Sequence, residues 1–339
     1  MSLVFTASRS PRLSRRVSPR VSAAARGFTL IELLVVIAII ALLVGILLPA
    51  LGKVRSTARA AVDGSNVRQV IIALATFAQS NGDQYPLPSV LDPTNQTVAA
   101  AGEAKNTTGN ILSFMIAQGS VTPELLISRS ESNTGQVQKY ENYEYTSPIG
   151  AVSSANALWD PKFKGTPIDA ATPASPMGAN IGNNSYAHVV HFGKRRAMWS
   201  ATFNSTEAIF GNRGPMYAQN DSAPAPQSNR WTLTNDQYGV TSNTLLIHGG
   251  KNTWEGQIGY NDNHVSFETT PNPTQLTYTR TGSGAGRTVP DNLFVNESDQ
   301  LGGDTAAGQI MNGTNAYLRP IGTITAGSNN TVTITPWRD

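Results

Sequence analysis

The side chains able to do chemistry in this chain are few, and the most telling is Glu32. It is the sole charged residue between Phe28 and Gly52, in an apolar run that continues to Leu51. As a helix, the 24 residues from Phe28 to Leu51 would be ~36 Å long, enough to cross a hydrocarbon layer of ~30 Å. A carboxylate near the start of such a helix costs about 3 kcal/mol unless it is paired, so it reads as functional. The four histidines (His188, His191, His248, His264) form a second concentration, all within 77 residues. His188-x-x-His191 would share a face on a helix, but the surrounding sequence reads as β, which sends i and i+3 to opposite sides. No glutamate lies between them and the chain has no cysteine, so no metal site is predicted. The run from Asp291-Asn292 to Asp299 offers oxygen ligands of a type that suits calcium, without the spacing of an EF-hand loop. There is no Gly-x-Ser-x-Gly elbow, phosphate-binding glycine loop or dinucleotide fingerprint, so no enzyme is predicted. Five tryptophans and ten tyrosines suit either a core or a carbohydrate-binding face.

What precedes Glu32 narrows the reading. Residues 1–27 carry six arginines (Arg9, Arg12, Arg15, Arg16, Arg20, Arg26) and no acid, whereas the far flank offers Lys53, Arg55 and Arg59 before Asp63. The larger positive cluster stays in the cytoplasm, so the carboxy-terminal bulk is expected on the far side of the membrane. An ordinary secretory signal has a shorter apolar core and a small-residue cleavage site, and a lipoprotein signal needs a cysteine. A plain signal anchor leaves Gly27-Phe28-Thr29-Leu30-Ile31-Glu32 unexplained. At these residues the chain resembles the type IV pilin and type II secretion pseudopilin superfamily, whose leader joins a basic segment, a glycine, a phenylalanine and a glutamate at the fifth mature position. The resemblance implies cleavage after Gly27 by a prepilin peptidase, N-methylation of Phe28, and pairing of Glu32 with the methylated amine of an adjacent subunit. The implied partners are the peptidase/methyltransferase, other pilin or pseudopilin subunits and the inner membrane. The implied role is a structural subunit of a pseudopilus or pilus. The competing class is a membrane-anchored exported protein that binds a glycan or substrate.

Charge agrees with this division. The formal net charge is +3, but subtracting the six leader arginines from 25 basic residues leaves 19 against 22 acidic ones. The mature chain is then slightly acidic with scattered cations, and no nucleic-acid partner is expected. Without cysteine the exported part must be held by its core alone. Its low charge and abundant Gly, Pro, Asn, Ser and Thr predict a loop-rich β head.

The expected organisation is a leader (1–27), a long helix (28–81, membrane part 28–51) and a head (82–339). The fold class is α+β: a transmembrane and spine helix packed on an antiparallel sheet. Pro49, between Gly45 and Gly52, either kinks the helix or ends its membrane part, and Asn81-Gly82 supplies a stop. Val54, Ala58, Ala61 and Val62 form one apolar stripe. Val67, Val70, Ile71, Leu74, Phe77 and Ala78 form a larger one on nearly the opposite side. The larger stripe should cover the chain's own sheet, and the earlier one suits a neighbouring subunit.

Ile111–Ile116 reads as either a short helix or a strand, Tyr140–Tyr145 as a strand, and Pro161–Asn184 as loop. Further strands are expected at Tyr186–Phe192, Ala197–Phe203, Glu207–Phe210, Thr244–Ile247, Gly256–Tyr260, His264–Glu268 and Thr331–Thr335. Asn261-Asp262-Asn263 should turn a hairpin. The segment containing His248, Asp262 and Asn263 is similar to a set of pseudopilin-like proteins with a histidine, nine residues and Asp-Gly. Here thirteen residues intervene and Asn263 stands for the glycine, a residue that also tolerates the left-handed turn conformation.

Overall fold

The computed structural model describes residues 27–167, 181–219, 231–279, 288–296, 313–326 and 332–338. The leader arginines, Thr331 and Asp299 lie outside these residues. Three α-helices are described: α1 (Leu30–Gln79), α2 (Pro88–Leu91) and α3 (Thr108–Ala117). The strands are β1 (Tyr186–Val189), β2 (Ala208–Asn212), β3 (Tyr217–Gln219), β4 (Trp231–Leu233), β5 (Gly256–Tyr260) and β6 (Val265–Glu268). They continue with β7 (Thr277–Thr279), β8 (Thr288–Pro290), β9 (Leu318–Arg319), β10 (Ile321–Ala326) and β11 (Val332–Pro336). The fold is α+β. Chain contacts divide it into two compact units, Met1–Gly52 and Lys53–Asp339.

In the first unit, α1 runs through the apolar segment with its side chains exposed and with Pro49 inside the helix. It is the one described helix long and apolar enough to cross a membrane. In the second unit α1 stops at Gln79, where Asn81 and Asp83 donate their backbone N–H groups to the Ala78 carbonyl and Gly82 takes φ +62°. That is the helix end expected of Asn81-Gly82.

The five-stranded sheet has the order β6-β5-β2-β1-β9, every neighbouring pair antiparallel. Alternation gives it two buried faces. Tyr186, Val189, Ile209 and Phe210 join Val67, Val70, Ile71, Leu74 and Ala78 of α1, with Ile111 and Met115 of α3, in the main core. Ala187, Ala208, Ile258, Tyr260 and Leu318 face a second core around Trp254, Leu293 and Phe294. A register shift between Ala208 and Phe210 places Ile209 and Phe210 in the same core. The larger α1 stripe covers the sheet, while Val54 and Val62 of the earlier stripe are exposed.

Helix and sheet approach closely because Gly259 has no side chain. A Cβ there would lie 2.9 Å from a Val67 methyl and 3.0 Å from an Ile71 methyl. These branched side chains are stiff. Gly259→Ala is therefore expected to lower stability by about 1–3 kcal/mol, read as a shifted urea midpoint of the detergent-solubilised chain. An unchanged midpoint would contradict this packing.

Several sequence expectations change. Ile111–Ile116 is helical, started by the Thr107 hydroxyl accepting from Asn110 N–H. Tyr140–Tyr145 forms no strand; Tyr140 instead packs edge-on against Tyr143 and Phe163. Ala197–Phe203 lies in a 3-10 turn (Gly193–Met198) and loop, and Thr244–Ile247 in a second 3-10 turn (Asn243–Leu246). The strand expected to reach Phe192 ends at Val189, and the one expected to end at Phe210 runs on to Asn212. The Gly256–Glu268 hairpin forms as expected, and Asn263 takes φ +70° at its turn.

Candidate functional site

The first candidate site is the start of α1. Thr29 caps the helix: its hydroxyl accepts from Glu32 N–H at 3.2 Å, and Glu32 Oε2 accepts from Thr29 N–H at 2.9 Å. The Thr29 hydroxyl also donates to Oε2 at 2.9 Å. This reciprocal capping box satisfies two orphan groups of the first turn and fixes the carboxylate beside the backbone of Thr29. The sequence reading passed over Thr29. The Thr-x-x-Glu spacing before an apolar run was the signal that identifies it. Glu32 Oε1 has no partner within the described chain, and Phe28 is exposed.

Residues 22–48 match the model of the prokaryotic N-terminal methylation motif. The chain carries that motif. The match spans Gly27, Phe28, Glu32 and the apolar start of α1, and it stops before Pro49. No curated protein and no solved structure matches the chain. The motif match covers residues 22–48 of the first unit, and the second must be read from its own geometry.

The second candidate site is the junction of α1 with the head, within the second unit. Asp63 is fully buried and accepts from five donors. They are Ser128 Oγ (2.5 Å), Arg129 N–H (3.2 Å), Tyr186 O–H (3.1 Å), Asn212 Nδ2 (3.3 Å) and His248 Nε2 (2.8 Å). One carboxylate on the helix therefore ties together a loop, β1, β2 and the segment after the second 3-10 turn. Burial pushes the Asp63 carboxyl up, but hydrogen bonds from His248, Ser128 and Asn212 and the neighbouring His248 charge outweigh it and hold the group below its usual range. The phenol of Tyr186 is pushed well up, mainly by burial and also by the Asp63 charge. One helical turn earlier, Gln257 Nε2 donates to the Ala60 carbonyl, and the bare Gly64 leaves room for that side chain.

His248 is thus assigned a partner that its spacing from Asp262 did not suggest. Asp262 instead accepts from its near neighbour His264 at 2.5 Å, and that hydrogen bond lowers its carboxyl against the opposing effect of burial. An Asp–His pair is the orienting half of a nucleophilic triad. No described hydroxyl bonds the other His248 ring nitrogen, and the pair fastens the segment carrying His248 to α1. His248, with Arg59, Glu255 and Phe267, lines a groove of about 620 Å³ beside the helix.

The other histidines also depart from expectation. Because β1 ends at Val189, His188 and His191 do not fall on opposite sides; their rings lie 5.3 Å apart. Among the described residues no group of three or more His, Cys, Asp or Glu is placed to hold a metal ion. In the oxygen-rich run, Asp291 Oδ1 accepts from Asn315 and Oδ2 from Ala316 N–H. Trp159, Trp199 and Trp254 are core residues, each 1% exposed.

Proposed function

We propose that this chain is the precursor of a pilin-like structural subunit, anchored in the inner membrane by α1, with its head on the far side. Prepilin peptidase cleaves after Gly27, the new amine of Phe28 is methylated, and subunits then associate through α1 into a pseudopilus or pilus. The observation that carries this reading is the methylation motif with Glu32 as the lone charge in the exposed apolar part of α1. In hydrocarbon, a carboxylate and a methylated ammonium attract strongly, because neither has water as an alternative partner. Glu32 has an unused oxygen to offer such an amine. The exposed stripe with Val54 and Val62 is available to a neighbouring helix.

The rival reading, a glycan-binding head, drew on the aromatic content. Its support weakens because three of the five tryptophans, Trp159, Trp199 and Trp254, are committed to the core, while Trp231 and Trp337 are half-buried. Mass spectrometry of the mature amino terminus, with a sheared-fibre preparation, tests the proposal. The expected species begins at methylated Phe28 and is found in fibres. A product that keeps residues 1–27, or begins elsewhere, would overturn it.

A further inference from the structure

A cluster in the head that takes no part in the proposed assembly role is built to respond to acid. His188 and His191 are both fully buried. Their rings lie side by side in a tilted arrangement, and each lies 5.1 Å from the ring of Trp199. His188 makes one hydrogen bond at each ring nitrogen. Its Nδ1 lies 2.8 Å from the Val189 carbonyl, which can only accept, so Nδ1 holds the proton. Its Nε2 lies 2.7 Å from the Thr108 hydroxyl, which itself accepts from Ile321 N–H at 2.7 Å. In the neutral ring Thr108 donates to Nε2, and a second proton on the ring would require that hydroxyl to turn round and accept instead. His191 has no well-formed hydrogen bond at either buried nitrogen; the nearby Val189 and Asn106 carbonyls favour its charged form, but burial outweighs them.

The charged groups around the cluster offer no relief. Arg196, from the turn Gly193–Met198, disfavours a charge on His191 and pairs with Glu103 at 2.9 Å. Lys105, on the 3-10 turn Gly102–Lys105 that precedes Thr108, pairs with Asp92 at 3.1 Å. Arg319 faces His188 across the β1–β9 ladder and donates to the Gly214, Pro215 and Phe294 carbonyls. The two carboxylates, Glu103 and Asp92, already answer cations, so an imidazolium formed here has no counter-ion.

We propose that the His188–His191–Trp199 cluster is an acid-labile fastening of the head, which joins α3, β1 and the Gly193–Met198 turn at neutral pH and lets them part on acidification. Burial pushes His188 down to about 4 and His191 well below its usual value, aided for the latter by His188 and Arg196. A depressed histidine binds its proton first in the unfolded chain. Stability is therefore intact above about pH 6.5 and falls as pH drops toward the folded value. Each histidine lowers the folding equilibrium constant about tenfold per pH unit in that window.

The test is urea unfolding of the full chain in detergent at pH 7.5 and 5.5, comparing the parent with His191→Phe. Phenylalanine keeps the ring and removes no well-formed hydrogen bond. Taking the ratio of variant to parent at each pH cancels other titrating groups, including Asp291, which burial pushes up to about 7. The variant is expected to lose about tenfold less of its folding constant than the parent over this interval. Identical pH dependence of His191→Phe and the parent would overturn the proposal. If the variant does not fold, imidazole NMR of the parent decides. Two histidines staying neutral to pH 5.5 in the folded chain supports the fastening, and either one protonating near 6.5 without loss of fold overturns it.

Discussion

Glu32→Ala is expected to leave membrane insertion and leader removal intact while removing the chain from sheared fibres. Alanine is tolerated in a spanning helix and costs nothing to insert, whereas the carboxylate costs about 3 kcal/mol. An unpartnered carboxylate is thus a liability in the single subunit, offset only when an opposite charge arrives. The Thr29–Glu32 capping box gives a control. Its loss costs about 1 kcal/mol of helix-end stability, too little to abolish insertion, and Glu32→Gln keeps much of the cap while removing the charge. Both variants should be depleted from fibres at least tenfold relative to the membrane fraction, measured by immunoblot. Glu32→Gln assembling like the parent would sink the charge-pairing role and leave only capping.

Asp63→Ala carries the largest expected cost in the head. The substitution strands the side-chain donors of Ser128, Tyr186, Asn212 and His248 in a buried site. Loss of one partner from a buried charged network costs about 3–5 kcal/mol, a large part of the 5–15 kcal/mol that holds a typical domain. Urea unfolding of the detergent-solubilised chain, followed by near-ultraviolet circular dichroism, should show the loss directly. A change under about 1 kcal/mol would mean that water replaces the carboxylate and that the network is not a fastening. The depressed Asp63 carboxyl adds a pH dependence of definite sign. Its contribution is present above pH 3.8 and is lost as pH falls through the lower folded value.

The part of this molecule that could be read from sequence is the part governed by one strong periodic or compositional signal. A run of 24 residues that is apolar but for Thr29 and Glu32 admits few structures, and residues 22–48 match a known motif. The larger α1 stripe was legible because Val67 to Ala78 repeat at helical spacing, and the hairpin because strict alternation flanks Asn261-Asp262-Asn263. Short apolar runs were not. Leu245-Leu246-Ile247 suits a strand by composition, yet Ser242 caps a 3-10 turn there through Thr244 N–H. The aromatic alternation of Tyr140–Tyr145 came from ring packing, not from a ladder. Asp63 was read only as a charge beyond the membrane run. Its role depends on partners 65 to 185 residues away, and no local pattern encodes them.

That separation bears on how the polypeptide matures. Synthesis proceeds from the amino terminus, so Asp63 emerges early and waits for Ser128, then Tyr186 and Asn212, and last for His248. Until that imidazole arrives, the carboxylate and the apolar stripe behind it stand uncovered. The β9 strand that closes the sheet against β1 comes later still. Nascent chains shorter than about 250 residues therefore present a sticky, half-docked helix, the kind of surface that holding factors and quality-control proteases seize.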